Sequence, residues 1–383
     1  MNKFNFQNPT EIIFGKDRLA ELEKHIPADA RVLILYGGGS VVKFGTLAKV
    51  KVSLGNREVV EFGGIEANPQ FTTLMKAVEI AKKEKVDFLL AVGGGSVMDG
   101  TKFIALAAKY EGDAEQLLYG ACRKMTAVLP LGCVVTLPAT GSEMNSGGVI
   151  SFKHGKYVIG NPLCFPHFSF LDPTLTYTLP KTQVANGVID TFVHVCEQYL
   201  TYPAEGRFQD RTSEGILQTL VEIGRKTMDE PEDYDARANL VWCATMGLNG
   251  LIGSGVPQDW ATHMIGHEIT ALQGIDHAKT LAVILPALWT EMFEDKKAKL
   301  AQMAERVWGI TTGTVEEKAE MSIVKTRAFF ENLDVKTHLS DYNISENDFQ
   351  PILDGLKAKG LVKLSETGKI TLEVSRKILK RAL

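Results

Sequence analysis

The sequence has few of the features that mark secreted, membrane or nucleic-acid-binding proteins. Its five cysteines are scattered and form no C-x-x-C pair, so we expect reduced thiols in the cytoplasm, with neither a disulfide framework nor a thiolate zinc site. No stretch approaches the about 20 consecutive apolar residues that a membrane helix needs. Lysine and arginine number 42 against 46 acidic residues, a net charge of −4. Because no basic excess exists, we expect neither nucleic acid nor a membrane as a partner.

What the chain does have is the length and composition of a globular protein with two domains. It contains 383 residues, of which 45% are hydrophobic and 23% charged. A domain usually takes about 100–200 residues, so two domains are expected. Glycine, with 35 residues, is more frequent than average, and the way it is clustered is informative.

Short apolar runs alternate with helical periodicity in the N-terminal half. Strands are predicted at 31–36, 87–92, 127–137 and 168–171, and an amphipathic helix at 72–84. Apolar runs bounded by glycine are typical of strands that helices bury on both faces. After about residue 180, helical patterns replace the strand signals. We therefore predict an α/β domain with a parallel sheet at 1–180 and an all-α domain at 181–383.

Two of the predicted strands end in the sequence GGGS, at 37–40 and 93–96. Glycines at the carboxyl end of a strand let a phosphate approach the backbone, and the N–H groups of a following helix attract it. A tight turn without a ligand better explains one glycine triplet, whereas two in corresponding positions favour a nucleotide site. Neither matches the usual dinucleotide fingerprint, because Val42 and Met98 replace its third glycine.

Histidines in the second half have the spacing of metal ligands. Asp190 lies four residues before His194, and His263 lies four residues before His267. On a helix, side chains four residues apart share one face and can bind the same ion. A turn after the second pair lets His277 return toward the same place. One aspartate and up to three histidines suit zinc or ferrous iron.

A surface pair is the more common explanation for a single Asp-x-x-x-His. Here the neighbours of Asp190 and His194 are apolar, which indicates a buried position where polar groups need partners. The segment HMIGHE lacks the internal glutamate of H-E-x-x-H, so peptidase chemistry is disfavoured. The isolated residues His25, His154 and His338 are expected at the surface.

Together these motifs resemble the iron-containing (group III) alcohol dehydrogenase family, in particular its branch of NADPH-dependent butanol dehydrogenases and broad-range aldehyde reductases. The resemblance runs along the whole chain and includes GGGSVMDGTK at 93–102, LPATGSE at 137–143, TYTLP at 176–180, GVIDTFVH at 187–194 and HMIGHEITALQGIDH at 263–277. It implies a dinucleotide-binding α/β domain followed by a helical metal domain. The implied reaction is hydride transfer between nicotinamide C4 and the carbonyl carbon of small, butanal-like aldehydes, with the metal polarising the oxygen.

The resemblance also implies roles for individual residues. One Fe²⁺ or Zn²⁺ would be held by Asp190, His194, His263 and His277. The catalytic residues would be His267, as a proton donor or an orienting group, and Asp99. The NADP(H) residues would be Gly37, Gly38, Gly39 and Ser40 at the adenosine ribose, Gly94, Gly95 and Ser96 at the pyrophosphate, and Thr136, Thr140, Lys156 and Thr178 at the nicotinamide side.

NADP(H) is expected rather than NAD(H). Family members that use NAD often carry an aspartate where this chain has Gly39 and Ser40, and Lys43 follows shortly afterwards. A hydroxyl and a nearby cation should accept a 2′-phosphate. We further expect a homodimer that acts on small aldehydes or alcohols in the cytoplasm.

Two other classes of function stay open from the sequence alone. A lyase resembling dehydroquinate synthase shares the implied architecture and would use bound NAD catalytically, although no Lys/Arg-lined pocket for an acidic sugar is evident. A non-enzymatic metal or nucleotide sensor would also need the binding residues. Aldehyde-dependent oxidation of NADPH would separate both from a reductase.

Overall fold

Parallel strands form the framework of one half of the chain and helices form the other. The computed structural model describes residues 1–153 and 155–383. It divides into two units, which we call the sheet unit (Gln7–Leu179 and Pro231–Asn249) and the helical unit (Met1–Phe6, Pro180–Glu230 and Gly250–Leu383). The segment Pro231–Asn249 thus packs with the sheet although it lies within the helical half of the sequence.

The strands of the described residues include all those predicted. In chain order they are Glu11–Phe14 (β1), Arg31–Tyr36 (β2), Glu58–Phe62 (β3), Phe88–Gly93 (β4), Leu131–Val135 (β5), Gly147–Phe152 (β6), Gly155–Gly160 (β7), Phe168–Leu171 (β8), Lys363–Leu364 (β9) and Ile370–Thr371 (β10). A parallel sheet has the order β1-β8-β5-β4-β2-β3, and β6 pairs antiparallel with β7. The predicted parallel α/β fold is therefore confirmed.

The helix predicted at 72–84 is present one residue earlier, and helices dominate the chain after residue 180, as expected. The helices are Ser40–Lys43 (α1), Thr46–Ser53 (α2), Phe71–Lys83 (α3), Gly95–Ala107 (α4), Glu115–Leu118 (α5), Lys181–Tyr199 (α6), Arg207–Asp229 (α7), Tyr234–Gly247 (α8), Ala261–Gln273 (α9), His277–Glu291 (α10), Phe293–Arg306 (α11), Val315–Asn332 (α12), Phe349–Ala358 (α13) and Leu372–Arg381 (α14). Among the helices that the structure describes, none combines the length and apolar character needed to span a bilayer.

Both faces of the sheet are buried, as the apolar strands predict. Side chains of a strand point alternately to its two faces. In β2, Leu33 and Leu35 belong to the apolar cluster on the face covered by α3 and α4, while Val32 and Ile34 belong to the cluster on the opposite face, with residues of α1 and α2. This double burial explains why the strand lacks an alternating polar pattern.

In the helical unit, α10 packs against α6, α9, α12 and α14. These helices begin and end at recognisable residues. α12 starts with a capping box, in which the side chain of Thr314 accepts from the backbone of Glu317 and the Glu317 side chain accepts in return. α9 ends at Gln273 and is capped by Gly274, whose φ of 68° lies in the left-handed region. The antiparallel pair β9–β10 departs from the all-α prediction, because two-residue strands are too short to leave a pattern.

Candidate functional site

Asp190 lies beside three imidazoles in the interior of the helical unit. α6 carries Asp190 and His194, α9 carries His263, and α10 begins at His277. Oδ1 of Asp190 is 3.8 Å from Nδ1 of His194, 3.8 Å from Nε2 of His263 and 4.0 Å from Nε2 of His277. The four residues predicted as metal ligands are therefore brought together by three helices.

The donor set fits a divalent metal ion. Ligand atoms of Asp190, His263 and His277 all lie within 4.8 Å of one another, while the ring of His194 stacks on that of His263 at 4.5 Å. With metal–nitrogen bonds of about 2.1 Å, two ligands of one ion lie at most about 4.2 Å apart, a limit that the distances from Asp190 satisfy. Oδ1 of Asp190 and Nε2 of His263 are buried and have no hydrogen-bond partner among the described residues. Such atoms are costly to bury unless something binds them.

The charges of this cluster depend on one another. Burial alone would raise the pKa of Asp190, but His194, His263 and His277 lower it, so the carboxylate is ionised. Burial would likewise lower the pKa of His263, but Glu197 and Asp190 raise it to about 9. A metal ion therefore competes with a proton for His263.

His267 lies next to the cluster rather than apart from it. The residue is 6% exposed, and its ring centroid is 4.6 Å from that of His277 and 6.0 Å from that of His263. One helical turn of α9 separates it from His263, which is the reason for the shared face. Its role in proton transfer stays a prediction.

The two glycine turns follow neighbouring strands of the sheet. β2 pairs with both β3 and β4, and β5 lies beyond β4. β3 therefore lies on one side of β2, whereas β4 and then β5 lie on the other side. The order in which the chain adds strands to the sheet reverses between β2 and β4. Ligands of open parallel sheets bind outside the carboxyl ends of the strands at such a reversal. This topology supports a nucleotide site at 37–40 and 93–96.

The surroundings of the two turns differ. A Cβ on Gly38 would have nothing within 4 Å, and the adjoining groove is lined by Tyr36, Gly37, Gly38, Gly39, Val42, Lys43, Gly63 and Gly64. A Cβ on Gly94 would lie 2.9 Å from Leu137, and one on Gly95 would lie 2.6 Å from Thr140. The turn after β4 therefore requires glycine for packing, whereas the turn after β2 borders open space.

Asn68 joins two of the predicted cofactor residues and was missed by sequence reasoning. Its backbone N–H donates to Oγ of Ser96 at 3.2 Å, and Nζ of Lys156 donates to its Oδ1 at 2.9 Å. Its φ of 61° is a conformation that asparagine tolerates, and the Asn-Pro dipeptide was the available signal. Thr136 directly follows β5, while Thr178 is exposed in the turn before α6.

Asp99 is enclosed within the sheet unit. It accepts hydrogen bonds from Oγ of Ser142 at 2.7 Å and from the backbone N–H of Val149 at 2.8 Å. Lys102, three residues later on α4, donates to both oxygens of Ser142. These contacts are those of a residue that positions the segment 142–149, and the catalytic role of Asp99 stays a prediction.

The sequence predicts that His25, His154 and His338 lie at the surface. The side chain of His338 is 45% exposed, which agrees with that prediction. The prediction is wrong for His25, whose ring packs against Phe168 and Phe170 and whose side chain is 16% exposed. His154 lies outside the described residues.

Comparison with known proteins identifies the family. A family model for iron-containing alcohol dehydrogenase matches residues 9–173, and one for the C-terminal part of the Fe-containing alcohol dehydrogenase family matches residues 184–381. The chain is 54% identical to the NADPH-dependent aldehyde reductase YqhD of Escherichia coli (strain K12), with 100% of both chains covered. It is 40% identical to the probable NADH-dependent butanol dehydrogenase 1 of Bacillus subtilis (strain 168), covering 94% of this chain and 95% of the relative.

Solved structures agree with these matches. The crystal structure of Escherichia coli K-12 YqhD has a TM-score of 0.98 at 54% identity and covers 100% of this chain and 99% of its own. NADH-dependent butanol dehydrogenase A of Thermotoga maritima has a TM-score of 0.93 at 34% identity, with 100% and 99% covered. Fold and matches define an oxidoreductase of the alcohol dehydrogenase type. The chain belongs to the iron-containing alcohol dehydrogenase family, which confirms the predicted family and enzyme class and does not favour the lyase or the sensor.

Proposed function

We propose that the protein is an NADP(H)-linked alcohol dehydrogenase that reduces small aldehydes at a site containing one Fe²⁺ or Zn²⁺ ion. The observation that carries the proposal is the cluster around Asp190, where buried oxygen and nitrogen atoms converge with no hydrogen-bond partner among the described residues for Asp190 Oδ1 and His263 Nε2. The relative from Escherichia coli is named an NADPH-dependent aldehyde reductase, which supports the coenzyme and the substrate class.

Asp190, His194, His263 and His277 are proposed to hold the metal ion. When bound, the ion supplies a Lewis acid that polarises the carbonyl oxygen of the substrate. The chain contributes one negative charge and three imidazoles. Asp190, His194 and His263 are buried, while the side chain of His277 is 22% exposed, so solvent reaches the site from the His277 side. Either metal suits this set of nitrogen and oxygen ligands.

The groove after β2 supports NADP(H) as the coenzyme. Among the described residues that line it, Lys43 is the charged one and none is a carboxylate. A 2′-phosphate therefore meets a cation and the exposed hydroxyl of Ser40 instead of a repelling acid. Gly94, Gly95 and Ser96 are proposed to approach the pyrophosphate, and Thr136, Thr140, Lys156 and Thr178 the nicotinamide side.

In the proposed reaction a hydride moves from nicotinamide C4 to the carbonyl carbon and a proton moves to the carbonyl oxygen. His267 is proposed to deliver this proton, because it is the imidazole beside the cluster that is not needed as a ligand. Its ring lies 4.6 Å from that of His277. Asp99 is proposed to act through Ser142 by positioning the segment that follows it.

Small apolar aldehydes such as butanal are the proposed substrates. The partly exposed ring of Trp260 lies 5.4 Å from the ring of His263 and 6.2 Å from that of His194, which provides an apolar surface beside the cluster. Two of the relatives are named butanol dehydrogenases, which supports a substrate with a carbon chain as short as that of butanal.

Metal analysis combined with a series of straight-chain aldehydes tests this function. We expect about one metal ion per chain and NADPH oxidation that depends on the aldehyde. The proposal would be contradicted if the protein bound neither metal nor NADPH. It would also be contradicted if none of the aldehydes in the series supported NADPH oxidation. A lower KM for NADH than for NADPH would contradict the coenzyme assignment alone.

We also propose a homodimer in the cytoplasm. β1 lies at an edge of the sheet, and edge strands offer backbone groups for pairing with a second copy. All five cysteines are free and buried, as expected for a reducing compartment. Sedimentation at micromolar concentration tests the dimer, and a mass of one chain would contradict it.

A further inference from the structure

We propose that Glu197 is a positioning residue of the metal site, which holds the backbone and the ring of His263 with one carboxylate. This inference rests on the proposed metal-binding role of His263. Glu197 lies on α6, three residues after His194 and seven after Asp190, so all three side chains occupy one helix face. It is 3% exposed. It contacts the proposed ligands through His263.

The two oxygens of Glu197 have different partners. Oε1 accepts hydrogen bonds from the backbone N–H of Thr262 at 2.7 Å and of His263 at 3.3 Å. These N–H groups belong to the first turn of α9, where no helical carbonyl is available to them. Oε2 is hydrogen-bonded to Nδ1 of His263. One carboxylate thus fixes where the ligand's helix begins and how its ring is turned.

The ring hydrogen bond determines which nitrogen of His263 can bind a metal. When Nδ1 carries the hydrogen and donates it to Glu197, the lone pair of the neutral ring is on Nε2. Nε2 is the atom that lies 3.8 Å from Oδ1 of Asp190. A carboxylate that accepts from the outer nitrogen of a ligand histidine also makes that ligand more basic.

A second set of buried contacts holds Glu197 and α9 in register. The backbone N–H of Asp259 donates to the carbonyl of Glu197 at 2.7 Å, and Oδ1 of Asp259 accepts from the backbone of Ala261 at 2.9 Å. Nζ of Lys296 donates to Oδ2 of Asp259 at 2.7 Å and to the carbonyl of Leu200 at 2.8 Å. The end of α6 and the start of α9 are therefore tied to the same ammonium group.

Glu197→Gln separates this role from simple packing. The carboxylate uses both oxygens as acceptors, whereas an amide of nearly the same shape has one acceptor oxygen and one NH₂ donor. If the NH₂ faces Nδ1, that nitrogen must accept, and the hydrogen of the neutral ring moves to Nε2. If the NH₂ faces α9, it opposes two backbone N–H groups. In either orientation, the His263 ring is no longer held with the lone pair of Nε2 directed at a metal ion by both hydrogen-bonding oxygens of residue 197.

Glu214→Gln is a matched control. Glu214 is also a buried carboxylate of the helical unit, at 4% exposure. It accepts from Tyr199, Gln302 and Arg306. None of these three partners belongs to the proposed ligand set, so Glu214→Gln reports the cost of replacing a buried carboxylate without touching the metal site.

The experiment measures Zn²⁺ affinity by competition with a chromophoric chelator, together with thermal unfolding of each metal-free protein. We expect Glu197→Gln to bind Zn²⁺ about 10- to 100-fold more weakly than wild type, and Glu214→Gln to bind it as wild type does. Equal losses in both variants, or an unchanged affinity in Glu197→Gln, would overturn the positioning role. Wild-type protein that binds no Zn²⁺ would instead overturn the proposed function itself.

A measurement on the wild type does not depend on how well the variant folds. In Zn²⁺-loaded protein with ¹⁵N-labelled histidine, the ring signals of His263 should show a metal-bound Nε2 and a protonated Nδ1 that exchanges slowly with water. Binding of Zn²⁺ through Nδ1, or a rapidly exchanging Nδ1 proton, would contradict the proposal.

Discussion

Lys102 and Ser142 are joined twice, because the ammonium of Lys102 donates to both the carbonyl and the hydroxyl oxygen of Ser142 at 2.7 Å. The same hydroxyl donates to Asp99. Burial lowers the pKa of Lys102 and raises that of Asp99, while the charge of each opposes this effect on the other. One serine thus connects the buried ammonium of Lys102 with the partly buried carboxylate of Asp99 in the sheet unit.

Lys102→Met is expected to lower the free energy of unfolding by about 1–3 kcal/mol, because the oxygens of Ser142, Asn145 and Gly147 that accept from the ammonium lose their donor. Lys102 is 0% exposed, so water cannot replace the ammonium without rearrangement. Guanidinium denaturation measures the loss. The control is Lys109→Met, an exposed site just beyond α4, with an expected change below about 0.5 kcal/mol. Equal stabilities of the two variants would contradict the role of the buried ammonium.

Gly95→Ala should lower the stability of the protein, whereas Gly38→Ala should weaken coenzyme binding without lowering stability. A Cβ at residue 95 would lie 2.6 Å from Thr140, an overpacking that costs about 1–3 kcal/mol of the free energy of unfolding. A Cβ at residue 38 meets nothing within 4 Å but enters the groove beside Lys43. We expect Gly38→Ala to keep the melting temperature and to raise the Kd for NADPH, measured by fluorescence titration. A destabilised Gly38→Ala protein would argue against the open groove.

Ser40→Asp is expected to reduce the preference for NADPH. The side chain is exposed at the start of α1, so the new carboxylate costs little burial and would repel a 2′-phosphate. The KM for NADPH should rise at least about tenfold, while the KM for NADH changes much less. Ser40→Asn has nearly the same shape without the charge and should keep most of the preference. An equal rise of both KM values in Ser40→Asp would contradict an electrostatic cause.

His267→Asn is expected to lower kcat by about 100-fold or more while the metal content stays at one ion per chain, because proton delivery is lost and the ligands are intact. Steady-state kinetics and metal analysis of the same sample provide both values. His338→Asn, at an exposed position, should change neither. Loss of metal from His267→Asn would show that His267 orients the ligands instead.

Removal of the metal by a chelator should abolish aldehyde reduction and leave NADPH binding largely unchanged. The proposed ligands belong to the helical unit, whereas the residues proposed to bind the coenzyme belong to the sheet unit. Activity should return on addition of Fe²⁺ or Zn²⁺. Full activity of the chelated protein would mean that the metal has a structural role.

Much of the fold follows from local pattern. β2 and β8 have the predicted bounds, and the helix predicted at 72–84 is α3, one residue earlier. The strand predicted at 127–137 is reduced to β5, since Pro130 cannot donate to the ladder. β1, β3, β6, β7 and the pair β9–β10 were not predicted. The two-residue strands β9 and β10 are too short for a period to emerge.

The site was predictable where its residues share a helix. Four-residue spacing identified the pairs Asp190–His194 and His263–His267. The same face of α6 extends to Glu197, which the spacing also indicates. Asn68 had only the following proline as a marker, since its contacts with Ser96 and Lys156 join residues far apart in the chain. The sequence of α8 also does not indicate that this helix packs with the sheet unit, because its pattern of apolar residues is common to buried helices.

The return of α8 to the sheet unit limits how this chain can be cut or recombined. The ring of Trp242 packs edge-on against Phe14 with centroids 6.0 Å apart, and Thr245 on the same helix donates to the buried carboxylate of Glu143. A fragment that stops at Leu179 would lack both contacts. A chimera joined only at that residue would pair the sheet of one parent with the α8 of another. Exchange of a coenzyme-binding half between relatives therefore has to carry Pro231–Asn249 with it, as an inseparable second piece.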